Sequence, residues 1–260
     1  MWQKQPLVGV RVESDMNIAF LGARSLLSGT GWASDLEHQA RKVARARGIR
    51  TIAVLDHWVN YSERFHRNGE TVLPDEIYVT DRYALLKATQ IFPNIPVRVY
   101  ENVYLAIQLS EILQSRANAV EVLYLLEPIR ADWPRHIAGE FEALEYFLEN
   151  WHRLDIPNDT TLRIRPHPSD SIGKYNDWLA NHAHQNIVLD SGPLSLALAK
   201  AFWVAGCETY AMAVALAAGK IVISALPPWA PPCRLPHEAI IRLNELDLKS
   251  SNTNVYEETL

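Results

Sequence analysis

Short apolar runs of strand length alternate along this chain with segments of helical period, the pattern of parallel βαβ units rather than of an all-β or all-α fold. Strands are predicted at 17–21, 51–55, 76–80, 97–100, 120–126, 161–165, 186–189, 201–204 and 220–224. Helices are predicted between them, at 34–47, 82–92, 103–116, 140–154, 171–182, 195–199, 208–218 and 236–244. Ser34-Asp35-Leu36-Glu37 offers a cap and early carboxylates to the positive end of the 34–47 helix, and Gly48 follows its basic tail. Turns at Pro93-Asn94-Ile95-Pro96 and Gly219-Lys220 mark helix-to-strand transitions.

The series breaks where Gln114-Ser115-Arg116-Ala117-Asn118 closes a helix and a new apolar strand begins. The expected fold class is therefore α/β, with two Rossmann-like parallel-sheet halves, 1–118 and 119–260, facing a cleft. Open parallel sheets bind ligands at the carboxyl ends of their strands, so residues just after each strand are the place to look for chemistry. The last dozen residues, from Ser250 onward, look like a polar tail.

Composition narrows the partners. The chain has 260 residues, 48% of them hydrophobic, enough for a packed core, and a formal net charge of −5. With no Lys/Arg-dense block, a nucleic-acid surface is not expected, and any phosphate site must be local. Cys207 and Cys233 have no metal-ligand spacing, which points to a reducing, cytoplasmic setting without a cysteine zinc site. No apolar stretch is long enough to span a bilayer, so membrane contact would be peripheral.

The segment richest in chemistry is Arg163-Ile164-Arg165-Pro166-His167-Pro168, at the end of a predicted strand. Arg163 and Arg165 share one face of an extended strand, and the two prolines stiffen the exit that carries His167. Two guanidinium groups and an imidazole suit a phosphate ester, and Pro168 belongs to the same phosphate-holding loop; the same residues would also suit a solvated strand end. A second candidate is Gly206-Cys207-Glu208-Thr209-Tyr210, between an apolar strand and an alanine-rich helix. There Gly206, free backbone N–H groups and the Thr209 hydroxyl could meet a phosphate or ribose, with Glu208 on ribose hydroxyls; an ordinary helix cap is the competing reading.

In the first half the glycine turn Ser28-Gly29-Thr30-Gly31 precedes a helix but lacks the third glycine of a dinucleotide fingerprint and the Gly-Lys-Ser/Thr of a P-loop. Gly31, Asp35 and Glu37 are candidates for an acceptor side, where either carboxylate could take a proton from a hydroxyl or could simply cap the helix. Asp56-His57-Trp58, after the next strand, suits sugar binding or proton transfer, against a structural His paired with local backbone. Glu101-Asn102, Glu127-Pro128 and Asp81 are strand-end polar groups of the same kind. Trp133, Trp151, Trp178 and Trp203 read as packing, and His182 and His184 as solvated. There is no Gly-x-Ser-x-Gly elbow, no His-Glu-x-x-His and no Asp-x-Asp, so no nucleophile elbow or paired-carboxylate metal site is expected.

With Arg165-Pro166-His167-Pro168 ending one strand, and a later turn, helix and Gly-Lys-Ile-Val-Ile strand from Gly206 to Ile223, residues 120–225 resemble the nucleotide-binding domain of GT-B-type glycosyltransferases. The likeness is to bacterial capsule and lipopolysaccharide sialyl-, polysialyl- and Kdo-transferases and to the CDP-glycerol glycerophosphotransferases. It implies contacts from His167 to the phosphate of a cytidine nucleotide, and from Glu208 and Thr209 to phosphate or ribose. It also implies a catalytic acidic residue, the base toward the acceptor, near the first glycine turn. Asp35 is the nearest positional match, though Ser-Asp-Leu-Glu departs from the acidic-acidic-glycine pattern of those families.

On that resemblance the expected activity is metal-independent transfer of a sugar from a nucleotide-sugar donor, with a CMP-sugar leading, to a glycan acceptor of a bacterial surface polysaccharide. No cofactor beyond that donor is expected. A sugar-nucleotide epimerase or hydrolase on the same scaffold, or a non-catalytic nucleotide-sugar or glycan-binding module, are the alternatives.

Overall fold

The computed structural model describes Gly9, 11–31, 34–115, 120–128, Trp133, 135–183 and 185–246. His184, the 116–119 segment and the tail from 250 lie outside the described residues. The chain divides into two units, Met1–Asn102 and Val103–Leu260.

The first unit runs α1 (Met16–Ala19), β1 (Ser25–Ser28), α2 (Leu36–Ala46), β2 (Arg50–Leu55), β3 (His66–Arg67), β4 (Glu70–Thr71), β5 (Glu76–Val79), α3 (Arg82–Ile91) and β6 (Val97–Val99). Its main sheet has the order β1-β2-β5-β6 with every pairing parallel, so each described strand is laid beside the one before it in that sheet. Thr51, Ala53 and Leu55 alternate inward along β2, the period-2 signature of a half-covered strand. The predicted strand at 17–21 is instead α1. The Asp15 carboxylate accepts the backbone N–H groups of Asn17 (2.7 Å) and Ile18 (3.3 Å), a cap that turns a short apolar run into a helical turn. The first strand follows it, at Ser25–Ser28. The β3–β4 hairpin is antiparallel, and its Asn68-Gly69 turn has both residues at positive φ (50° and 79°), as a two-residue hairpin requires.

The second unit runs α4 (Val103–Gln114), β7 (Glu121–Leu125), α5 (Gly139–Glu149), β8 (Leu162–Arg165), α6 (Asn176–Asn181), β9 (Ile187–Leu189), α7 (Leu194–Lys200), β10 (Ala201–Gly206), α8 (Tyr210–Ala217), β11 (Ile221–Ser224) and β12 (Ile241–Arg242). The expected boundary at 118/119 follows α4, whereas α4 packs against α7 and α8 and belongs to the second unit. Six parallel strands lie in the order β12-β11-β10-β7-β8-β9. Read from the other edge, this is the doubly wound order 3-2-1-4-5-6, whose direction reverses between β7 and β10.

β7 and β10 are central, and four consecutive residues of each are buried. Val122, Tyr124, Ile164 and Trp203 from the sheet meet Leu144 and Phe147 of α5, with Trp151 and Trp178 in the same core and Trp133 packed with Cys207 in a smaller one. Two helix predictions change. Residues 171–182 hold only the short α6, because Gly173 at φ +83° interrupts a right-handed helix before it. Residues 236–244 are not a helix: Ile241–Arg242 pairs with β11 as the sheet edge, and Leu243–Glu245 forms a 3₁₀ turn.

Candidate functional site

A cavity of about 240 Å³ opens at the carboxyl edge of the second unit's sheet, lined by Leu125, Arg165, His167, Leu194, Thr209 and Tyr104 among others. Its walls follow β7, β8 and β10, so it lies at the point where the strand order reverses and where adjacent loops must diverge. The cavity exists because of the topology; the Arg-Pro-His-Pro segment supplies its polar wall.

β8 alternates, with Leu162 and Ile164 buried and Arg163 and Arg165 on the opposite face. Beyond it, the chain is held by a buried carboxylate. Asp170 accepts the backbone N–H of His167 (2.9 Å), the Tyr175 hydroxyl (3.0 Å) and the Lys174 ammonium (2.8 Å), and Lys174 also pairs with buried Glu140 (2.7 Å). Burial by itself would raise the Asp170 pKa, but these hydrogen bonds outweigh it and hold the carboxyl below its ordinary range. The clamp aims His167 as well. Its Nδ1 accepts the backbone N–H of Ser169 (3.2 Å) and lies 2.7 Å from the Ser169 hydroxyl. A backbone N–H can only donate, so this hydrogen-bond pattern assigns the neutral ring's proton to Nε2, which is left as a donor.

The two arginines have different situations. Arg163 is committed to Glu121, with Nε and Nη2 at 2.6 and 3.0 Å from its two oxygens, and this pairing raises the arginine's pKa and lowers that of the glutamate. Arg165 donates through Nη1 to Asp190 and to the Gly192 carbonyl (2.7 Å), while its side chain lines the cavity. Asp190 directly follows β9, its side chain 9% exposed, with its second oxygen 3.8 Å from Arg163.

After β10 the turn separates its residues. Gly206 is a packing residue: a Cβ there would lie 2.9 Å from the Leu125 carbonyl oxygen, so only glycine lets β10 close on β7. Glu208, 8% exposed, is held by Arg234, accepting from its backbone N–H (2.9 Å) and its guanidinium (2.5 Å from Nη2). The backbone N–H of Glu208 donates to the buried Glu127 (2.6 Å). Thr209 stands at the N-cap of α8 without a side-chain cap hydrogen bond, and it lines the cavity with Ala211 of the first turn.

In the first unit the predicted acceptor-side residues form a different kind of cluster. The Glu37 carboxylate accepts the Gly31 N–H (2.6 Å), and a Cβ on Gly29 would collide with it. Beneath that turn lies Arg41, 1% exposed, donating to the Ser28 hydroxyl (3.0 Å) and the Gly29 carbonyl (2.9 Å). Arg64 donates to the carbonyls of Thr30 (3.1 Å) and Val59 (3.0 Å) and pairs with Asp56 at 3.5 Å. Arg67 donates to the Gly31 carbonyl (3.1 Å) and lies 3.5 Å from Asp35. His57 Nδ1 accepts the Trp58 N–H (3.0 Å), and Asp81, predicted as a strand-end polar group, caps α3 and accepts the Trp58 indole N–H (2.8 Å).

The structure thus brings Arg165, His167, Pro168 and Thr209 to one cavity; Arg163, Gly206 and Glu208 sit nearby with ion-pair or packing partners of their own. Sequence reasoning missed Asp190, Asp170 and Arg234, and the arginines under the first glycine turn. Asp190 had a signal, since it follows a predicted strand at the same carboxyl edge; Arg234 had none, because its partner is distant in sequence. Among the described residues no three His, Cys, Asp or Glu side chains gather to hold a metal ion, and no helix is long and apolar enough to cross a membrane.

No protein-family model and no curated protein matches the chain. Among solved structures, one similar in fold is the UDP-GlcNAc 2-epimerase of Methanocaldococcus jannaschii, determined in complex with UDP-GlcNAc and UDP. The TM-score is 0.59 at 13% identity, covering 94% of this chain and 72% of that one. The likeness shows a GT-B-like fold of Rossmann-type parallel sheets.

Proposed function

We propose that this chain is an enzyme acting on a nucleotide-activated sugar, and that it transfers the sugar to a glycan acceptor without a divalent metal, a CMP-sugar being the donor. The observation that carries the reading is the cavity at the β7/β10 reversal, lined by Arg165, His167 and the first turn of α8 with Thr209. Backbone donors and the positive end of α8 favour an anion there.

In the reaction the bond between the sugar's anomeric carbon and the donor phosphate oxygen breaks, and a bond to the acceptor oxygen forms. Negative charge builds on the departing phosphate, which Arg165 and His167 would stabilise through hydrogen bonds already oriented before the reaction. By the family resemblance the acceptor hydroxyl's proton would go to Asp35, whose carboxylate is about half exposed and lies 3.5 Å from Arg67. A surface polysaccharide is the acceptor this reading implies.

Epimerisation or hydrolysis of a nucleotide sugar is the second reading, favoured by the fold likeness to an epimerase over nearly the whole chain. Product analysis by NMR separates the two. The chain is incubated with CMP-, CDP-, UDP- and GDP-sugars, with and without a panel of oligosaccharide acceptors. Nucleotide release that requires acceptor, together with an elongated glycan, is the expected result. An epimer or free sugar formed without acceptor overturns transfer in favour of the second reading. Tight binding with no turnover leaves a binding module.

A further inference from the structure

We infer that Asp190 determines the charge class of ligand the second unit's cavity accepts, favouring a singly charged phosphodiester over a di- or triphosphate-like polyanion. This inference rests on the donor-site reading above. The arginine pair looks like a strong polyanion site in the sequence, but its charge is already balanced: Glu121 takes Arg163 through two hydrogen bonds, and Asp190 takes Arg165. Asp190 is 9% exposed and reaches both arginines, with Oδ2 on Arg165 and Oδ1 at 3.8 Å from Arg163. Two cations and two carboxylates therefore cancel around β8, and Arg165 is the one of the four that lines the cavity. Among the described lining residues the other attraction comes from dipoles and partial charges, namely the His167 Nε2–H, the Thr209 hydroxyl and the start of α8.

Such a wall suits one negative charge. The phosphate of a CMP-sugar is esterified on both sides and carries one, whereas a nucleoside diphosphate sugar carries two across its bridge. Each charge beyond the first would meet, among the described lining residues, a cation already paired with the Asp190 carboxylate. Asp190 touches no reacting atom on this account; it is a specificity-determining residue acting through Arg165.

The test uses one nucleoside and three charges: cytidine 5′-phosphate methyl ester, CMP and CDP, titrated calorimetrically into the wild-type chain and into Asp190→Asn. Wild-type affinity is expected to stay level or fall along that series. In Asp190→Asn the affinity for CDP relative to the methyl ester is expected to rise about tenfold or more, because Arg165 regains an uncancelled charge. A wild-type affinity that climbs about tenfold with each added charge overturns the inference, whether or not the variant folds. An unchanged ratio in a folded Asp190→Asn also overturns it, and leaves the donor site standing. If none of the three ligands binds the wild type, the donor-site reading falls and takes this inference with it.

Discussion

The two units of this chain are built alike and treat their strand-end loops in opposite ways. Both are parallel sheets with helices, and both bring a glycine turn and arginines to the carboxyl edge. In the first unit those groups consume one another. Arg41, Arg64 and Arg67 donate to the carbonyls of 29–31 and 59, and the Glu37 carboxylate occupies the Gly31 N–H that a ligand would need. In the second unit Arg165, His167 and Thr209 line an open cavity. Strand order explains the difference. The described strands of the first sheet are laid side by side in sequence, whereas the second reverses direction between β7 and β10, which forces neighbouring loops apart. The same residue types form structural ties in one place and a candidate site in the other.

Several substitutions can break this contrast, and the largest effect belongs to His167. His167→Ala is expected to lower donor turnover by about 10²–10³-fold, the usual cost of removing one oriented donor to developing charge, with an unchanged melting temperature. A variant with full activity would place the chemistry elsewhere.

Arg41→Met should behave in the reverse way. It strips the Ser28 hydroxyl and Gly29 carbonyl of a buried partner and should cost about 1–3 kcal/mol of stability in urea unfolding, while nucleotide affinity stays the same. Loss of nucleotide affinity in a folded Arg41→Met would mean that the first glycine turn is itself a ligand site.

Acid sensitivity sharpens the description of the His167 clamp. The Asp170 pKa is depressed in the folded chain, so its contribution to stability is fully present above the unfolded carboxylate value of about 3.9 and is lost as pH falls through the lower folded value. The stability gap between wild type and Asp170→Asn should therefore be wide near neutrality and close under acid, read as thermal melts over that range. A gap that does not narrow would mean that charge is not what Asp170 contributes.

The smallest expected effect is on stability in Thr209→Ala. Because the hydroxyl makes no cap hydrogen bond, unfolding should change by less than about 0.5 kcal/mol, whereas nucleotide affinity should weaken severalfold. The opposite pattern would make Thr209 an ordinary cap.

Much of the architecture was legible before any coordinates. The alternation of apolar runs predicted eight of the strands near where they stand, as continuous apolar segments at β7 and β10 and as period-2 alternation at β2 and β8. The misreadings have physical causes. At 17–21 a side-chain cap from Asp15 overrode a short apolar run, and at 236–244 an edge pairing with β11 claimed residues that a helix could equally have used. The β3–β4 hairpin could have been found from Asn68-Gly69, a turn whose two residues tolerate positive φ.

The candidate site was legible in its local part and hidden in its long-range part. Arg165-Pro166-His167-Pro168 announced two cations, an imidazole and a rigid exit at a strand end, all properties of neighbours in sequence. The sequence by itself determined the α/β class, the strand-end position of that segment and the shared face of its arginines, since each follows from a period or from covalent geometry. Only the tertiary structure decided that Arg163 belongs to Glu121, that Glu208 belongs to Arg234, that Asp190 balances Arg165, and that Asp170 aims His167. It also decided where the cavity opens. Strand order and side-chain pairing at a sheet edge depend on how distant segments are laid side by side, and hydrophobic periodicity carries no record of that.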